Sequence, residues 1–326
     1  MNRSLKTMTA VAAAAALSIG FVSAGHAATQ TKIAFVMGAE ADPFFQAMKV
    51  GAQAQATASN VNLIWQGDPS HYDVQTQVPI VDSVISQAPD GLVLIPTDPT
   101  GLQASSDKAV AAGIQVANVD THVADLSKVL TFITGDNADG GAKAADAIAS
   151  AIKYTKGKTY QVVVGLTSKT ATTNVARLDG FKARIAKKYP GIKIKDVAYS
   201  ASNPQTASSN VNNWLTKYPK LNGIFAIDGT NASGAAAALQ SKKLVGKVAL
   251  VGYDAYPANV ALLKKGVFTA LIAQDPAAEA RLAIKTLVAK IVNGKNPAKR
   301  DVVIPNVALT KSTSAANLKK YTYVAN

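Results

Sequence analysis

The sequence predicts an α/β protein made of two similar doubly wound parallel-sheet lobes in series. Three observations carry that prediction. Short runs that are apolar on both faces alternate with helical patterns along the chain, the signature of a parallel sheet covered by helices on both sides. There is also a loose internal repeat. Ala88-Pro89-Asp90-Gly91-Leu92-Val93-Leu94-Ile95 leading to Asp98 is answered by Pro219-Lys220-Leu221-Asn222-Gly223-Ile224-Phe225-Ala226-Ile227-Asp228. Each copy is followed by a helix and a further strand ending in Asp, at Asp120 and at Asp254. Finally, the chain beyond its N-terminal leader, about 300 residues, exceeds the usual size of a single-core domain.

The elements follow in order. Residues 1–27 read as a cleavable secretory signal: a short basic start at Arg3 and Lys6, an apolar alanine-rich run from Met8 to Val22, and small residues in Gly25-His26-Ala27. The apolar run falls short of the ~20 residues needed to span a membrane. Residues 32–37 form a buried strand. At the corner that follows, Asp42 suits a helix cap and Pro43 the first turn, opening a helix over 44–58. Strands at 62–65, 91–95, 115–118 and 130–133 complete the first series, with a helix at 74–87 among them. The second series has strands at 160–166, 192–198, 223–227, 248–252 and 269–273. Helices at 141–152, 174–188 and 231–241 belong with it. The division falls near Gly135-Asp136-Asn137. Asp98, Asp120, Asp228 and Asp254 all lie just past the carboxyl ends of strands, where doubly wound sheets bind ligands.

Charge and composition exclude several function classes. The net charge is +14 and the isoelectric point about 9.7. The positive residues are mostly lysines in ones and twos, such as Lys187-Lys188 and Lys242-Lys243. They sit near helix ends, where cations complement the dipole. No aromatic residues interleave with them as a stacking surface for nucleic acid requires. The chain has no cysteine, so disulfides, thiolate metal sites and a lipoprotein anchor are excluded. Neither a Gly-x-Ser-x-Gly elbow nor a phosphate-cradling Gly-rich loop is present. Ser150-Ala151-Ile152-Lys153 matches a serine–lysine pattern but sits inside an amphipathic helix without companion motifs. Beyond the signal, His71 and His122 lie far apart in sequence and make no helix-spaced metal pair. Asp120 and Asp254 could serve a glycosidase as facing carboxylates, but such pairs also simply bind hydroxyls.

Binding asks less of these residues. A sugar offers hydroxyls that donate and accept, and an apolar face of C–H bonds. Asp, Asn and Gln on rigid strand ends satisfy the first, and aromatic rings cover the second. The adjacent Phe44 and Phe45 cannot both enter one core face from a helix. They therefore either project into a cleft or form a hydrophobic staple under the first turn.

Several motifs, in this order and spacing, resemble the periplasmic sugar-binding proteins of ABC transporters, the ribose-binding type within the type I periplasmic binding protein family. They are the strand-then-Asp42-Pro43-Phe44-Phe45 corner, Pro96-Thr97-Asp98, Gly113-Ile114-Gln115-Val116 leading to Asp120, Gly135-Asp136-Asn137 followed by Gly140-Gly141, Arg177-Leu178-Asp179-Gly180-Phe181, Val251-Gly252-Tyr253-Asp254, and Ala270-Leu271-Ile272-Ala273-Gln274. The resemblance implies an N-terminal lobe of residues 28–134 plus 275–304 and a C-terminal lobe of 135–274 plus 305–326. The lobes are hinged to close on one sugar. It places Asp42, Phe44 and Phe45 at a sugar-binding corner, Asp120 and Asp254 as hydroxyl-binding carboxylates, and Gln274 as an amide near the hinge. Asp228 stands where members usually carry Asn. Asp42 stands where the ribose branch has an amide, which is similar to the galactose/glucose branch. Two arginines of the ribose branch are replaced by Thr121 and Val175, with Asn174 and Arg177 close by.

The expectation is thus an exported solute-binding protein, not an enzyme, with no cofactor and no metal site. It takes a neutral monosaccharide or polyol at Asp42, Phe44, Phe45, Asp120, Thr121, Asn174, Arg177, Asp228, Asp254 and Gln274. Its partners are that ligand and an ABC permease, with a chemoreceptor or sensor kinase as a further candidate and no nucleic acid. It is expected in the periplasm as a monomer. A sugar sensor for a membrane receptor, or an exported sugar-acting enzyme, remains the alternative.

Overall fold

The computed structural model describes residues 30–324, and the expected signal segment lies outside them. Two six-stranded sheets form the frame. The first contains β1 (Thr31–Met37), β2 (Val61–Gly67), β3 (Gly91–Leu94), β4 (Gln115–Val119), β5 (Thr131–Gly135) and β11 (Asp301–Ile304), in the order β11-β5-β4-β3-β1-β2. All its pairings are parallel. The second contains β6 (Tyr160–Leu166), β7 (Ile192–Tyr199), β8 (Leu221–Ala226), β9 (Ala249–Tyr253), β10 (Ala270–Ala273) and β12 (Val307–Leu309), in the order β12-β10-β9-β8-β6-β7. The two orders are the same pattern, so the internal repeat in the sequence is a repeat of topology. In each sheet the order reverses beside the first strand, and ligand sites of doubly wound sheets open at the carboxyl ends there.

The helices are α1 (Pro43–Ala58), α2 (Val74–Ser86), α3 (Gln103–Ala111), α4 (Asn137–Ala151), α5 (Thr172–Lys188), α6 (Pro204–Lys217), α7 (Gly229–Ser241), α8 (Pro257–Lys264), α9 (Pro276–Asn293) and α10 (Ala315–Tyr321). Those that the sequence located begin up to four residues earlier than its periodicity indicated. The apolar stripe starts one turn inside the helix, whereas the true start is fixed by a capping side chain. Asp136 caps α4 by accepting from the Asp139 amide, and Asp228 caps α7 by accepting from the Asn231 amide. Helix α6 buries Ala207, Val211 and Trp214 on an otherwise polar surface, so its periodic signal is thin.

The chain passes between the sheets at three points. It leaves β5 and enters α4, which packs on β8, β9 and β10; it leaves β10 and enters α9, which packs on β4 and β5. Between β11 and β12 only Pro305 and Asn306 intervene. Strand β12 pairs antiparallel with β10, the departure from an all-parallel expectation. The reason is geometric. The two sheets present their carboxyl ends to each other, so a strand running straight across must be parallel to one sheet and antiparallel to the other. Both crossing strands are short and partly exposed, with Val303 57% accessible, which is why no apolar run announces them.

Each lobe has its own packed interior. Phe35 stacks on Trp65 at 4.6 Å in the first, and Phe181 on Phe225 at 4.9 Å in the second. Burying such rings removes on the order of 150–250 Å² each from water, which dominates core energetics. Helices α4 and α5 touch through backbone. A Cβ at Gly141 would fall 2.0 Å from the Arg177 carbonyl, and one at Gly180 2.0 Å from the Ala138 carbonyl. That close approach fixes the first two turns of α5 against α4 and so sets where Arg177 points.

Candidate functional site

Asp120 follows β4 and Asp254 follows β9, the same place in the two repeats. Both adopt left-handed backbone, φ 60° and φ 65°. That conformation costs an L-residue roughly 1–2 kcal/mol and persists only where its surroundings hold it. The same bond holds both: the Asp120 amide donates to the Ile133 carbonyl at 2.8 Å, and the Asp254 amide to the Ile272 carbonyl at 2.8 Å. The turn swings each carboxylate off its strand end into the space between the sheets.

Across that space stands the corner before α1. Asp42 caps the helix, accepting from the Phe44 amide at 2.8 Å. It also accepts from the Tyr256 hydroxyl and, at 3.4 Å, from the Thr230 hydroxyl, both of the opposite lobe. Phe44 and Phe45 are buried with ring centroids 5.4 Å apart, edge to face, and both line the cavity. The edge-to-face arrangement is how two adjacent side chains share one wall although they leave the helix in different directions.

Among the described residues, helix α5 supplies the one buried cation. Arg177 lies over the Tyr253 ring, 3.8 Å from its centroid. Its Nε donates to Asn137 Oδ1 at 2.7 Å and one terminal nitrogen to the Ile227 carbonyl at 3.0 Å. The other stands 4.0 Å from Asp120 Oδ1. Asn174 accepts the Thr167 and Ser168 amides at 2.9 and 3.1 Å, so its amide NH2 is what remains for the cavity. Asp228 holds its own cap and accepts from Thr167 Oγ1 at 2.9 Å and Asn231 Nδ2 at 2.7 Å. Gln274, after β10, donates to Asp254 Oδ1 at 2.8 Å.

These groups line a cleft whose free space, counting the part open to solvent, is about 450 Å³. Of the sequence-expected residues, Asp42, Phe44, Phe45, Asp120, Asn174, Arg177, Asp228, Asp254 and Gln274 line it. Thr121 does not; its hydroxyl donates to the Pro96 carbonyl at 2.7 Å and braces the turn behind Asp120. Asp98, one of the strand-end acids, turns back to accept the Thr100 and Gly101 amides and also lies off the cavity. Val175 sits on the open side of α5, 40% accessible. The structure adds Tyr72, Thr167, Thr173, Ser202 and Tyr256 to the lining. Tyr72, Thr167, Ser202 and Tyr256 lie in the loops after β2, β6, β7 and β9, so the strand-end rule that found the acids could have found them too. His71 pairs with Asp68 at 2.8 Å and His122 packs edge-on to Phe132, and no cluster of three metal-binding side chains occurs among the described residues.

Burial sets the electrostatics. It pushes the Asp42 carboxyl up to about 7, against the opposing effect of the Tyr256 hydroxyl and Phe44 amide. Asp120 is likewise pushed up to about 7 by burial, with Arg177 holding it down and Asp254 and Asp42 adding to the rise. Asp228 is raised by burial as well. Burial alone would lower Arg177, but Tyr253, Asp254, Asp120 and Asp228 together raise it, so it stays charged. Glu279, fully buried at the start of α9, lies well above its ordinary range, chiefly from burial and then from Asp120. Two acceptors on cavity-lining residues have no hydrogen-bond partner: Asp120 Oδ1, 4.0 Å from the Arg177 guanidinium, and Gln274 Oε1. An unmet buried acceptor costs about 1–3 kcal/mol. Two such acceptors on residues that line one cavity, together with the aromatic rings of Phe44 and Phe45, fit a small molecule that presents both hydroxyl donors and C–H surface.

Residues 33–296 match the periplasmic binding protein domain. A D-ribose/D-allose-binding protein of Pseudomonas aeruginosa is 30% identical over 303 residues, covering 90% of this chain and 93% of its own. A xylitol-binding protein of Mycolicibacterium smegmatis is 26% identical, over 93% of this chain and 85% of its own. Among solved structures, an ABC transporter solute-binding protein from Agrobacterium vitis bound to α-D-tagatopyranose is 29% identical. It superposes with a TM-score of 0.85, covering 90% of this chain and all of its own.

Proposed function

This chain belongs to the periplasmic binding protein family, and from that premise we propose that it captures a neutral monosaccharide or polyol between its two sheets and delivers it to an ABC permease. The observation that carries this reading is the pair of unpartnered buried acceptors, Asp120 Oδ1 on one lobe and Gln274 Oε1 on the other. A ligand hydroxyl donating to each would bridge the lobes.

In this reading Asp42, Asp120, Asp228 and Asp254 accept ligand hydroxyls, Asn174 and Arg177 donate to ligand oxygens, and Phe44 and Phe45 cover C–H surface. The hinge runs through the crossings after β5, after β10 and between β11 and β12, dividing residues 28–134 plus 275–304 from 135–274 plus 305–326. Closure brings Tyr256 and Thr230 onto Asp42 and Arg177 toward Asp120. Because those contacts and the ligand's bonds exist together only in the closed form, the ligand shifts the population toward closure. The closed form then is what a permease would meet. Relatives that bind D-ribose, D-allose, xylitol and D-tagatose support a neutral ligand. So does the acid-rich lining, since carboxylates in a low-dielectric closed site repel an anion. Residues 1–27 would direct export to the periplasm and be removed there.

A thermal-shift panel tests the ligand class: D-ribose, D-allose, D-arabinose, D-tagatose and xylitol against a uronic acid and an amino acid. At least one neutral compound should raise the melting temperature by several degrees. A shift with the uronic acid or the amino acid alone would refute the reading.

A further inference from the structure

We propose that Tyr323 is a positioning residue for ligand binding: its hydroxyl fixes Asp254 and the backbone of Gln274 from behind the cavity. The inference rests on the sugar-binding reading above. Tyr323 is not on the cavity wall. It follows α10, where the chain turns extended at Thr322 and the Tyr323 amide donates to the Ala255 carbonyl at 3.0 Å. That bond seats the ring, 4% accessible, directly behind Asp254.

One hydroxyl then serves two proposed ligand groups. It donates to Asp254 Oδ1 at 2.9 Å and accepts from the Gln274 amide at 3.2 Å. It thereby ties the end of β9 to the end of β10. Asp254 needs such support, because its left-handed backbone is held by surroundings rather than by preference. Its other oxygen accepts from the Gly229 amide at 2.9 Å. Asp120, with the same backbone turn on the other lobe, has no hydroxyl on its carboxylate: Oδ1 has Arg177 at 4.0 Å but no hydrogen-bond partner. The two acids thus differ in duty: Asp254 is a preset acceptor and Asp120 a free one. The Tyr323 ring also lies 6.0 Å from Phe44, across the cleft, and 6.1 Å from Tyr256, whose hydroxyl reaches Asp42. One side chain therefore touches a preset acid, an aromatic wall residue and the cross-cleft latch.

Tyr323→Phe removes the oxygen and keeps the ring. The probes are D-ribose, D-allose, D-arabinose, D-tagatose and xylitol, each titrated singly by calorimetry. The affinity of the best of them should fall about tenfold, with the melting temperature little changed. In an Asp254→Asn background the same substitution should cost less than twofold, because the donor's target has been altered. Without ligand, amide exchange at Gln274 should quicken at least tenfold in Tyr323→Phe, while β9 amides keep their rates. Unchanged affinity, an undiminished loss in the Asp254→Asn background, or unchanged Gln274 exchange would each overturn the proposal. If no probe binds the wild-type protein, the sugar reading fails, and the exchange measurement still decides whether Tyr323 holds Gln274.

Discussion

At the residue scale the site depends on buried carboxyls whose protonation lies close to neutrality. Asp42 and Asp120 titrate near 7 in the fold, above their unfolded values near 3.8. Between those two pH values the folded state holds more protons than the unfolded one, so stability falls as pH rises from about 4 through 7. Ligand hydroxyls prefer the ionised acceptors, so affinity runs the other way. We expect the melting temperature of the ligand-free protein to rise between pH 8 and pH 5 while sugar affinity declines, read by calorimetry in two buffers of different ionisation enthalpy. Proton release on binding at pH 6.5 is the accompanying signature, and a pH-independent affinity would contradict it. Phe44→Ala should weaken binding by about 1 kcal/mol or more with a smaller effect on melting; a steep drop in melting at unchanged affinity would make the ring core only. Asp120, Asp228 and Asp254 were legible in the sequence because they stand just past strand ends, and Asp42 because it caps the helix at the corner after the first strand. Thr121 was misplaced for a physical reason: a residue one step past the turn points back at the neighbouring strand end, and only the backbone geometry reveals which way.

At the element scale, helix α9 carries a buried acid without a hydrogen-bond partner. Glu279 is fully buried and neither carboxyl oxygen has a partner. Its raised titration, caused first by burial, means that it costs stability as pH rises above its unfolded value. Glu279→Gln should therefore flatten the pH dependence of melting and stabilise the protein at pH 8, measured by calorimetric unfolding; a destabilised variant at pH 8 would show that the ionised acid is needed. The close α4–α5 contact predicts that Gly180→Val, which forces a side chain onto the Ala138 carbonyl, displaces Arg177 and weakens binding together with stability. Strands β1, β3 to β6 and β8 to β10 were legible because central parallel strands must be apolar on both faces, and the edge strands β2 and β7 from their place in the alternation of strands and helices. Strands β11 and β12 were not, because an edge strand that crosses between lobes is half exposed and needs no such run. Helix α3 was expected after Asp98 without bounds, and α6, α8, α9 and α10 were given none; the buried face of α6 is sparse.

At the scale of the whole molecule, two copies of one topology face each other with their carboxyl ends, and three chain crossings join them. This arrangement explains why polar groups from both repeats converge on one cavity. The internal repeat made the two-lobe frame legible from residues alone. The cross-cleft contacts of Tyr256 and Thr230 with Asp42, and the contact of Tyr323 with Asp254 inside one lobe, were not legible, because they join segments about 70 to 214 positions apart and only packing brings them together. The measurement that bears most directly on the central claim is titration calorimetry of the wild-type protein and Asp120→Ala with the neutral sugar or polyol that gives the largest thermal shift. One site per chain is expected and, in the variant, an affinity lower by about one to two decades, from the loss of about 1.5–3 kcal/mol at a buried charged acceptor. Equal binding by the variant, or binding confined to a uronic acid or an amino acid, would contradict it.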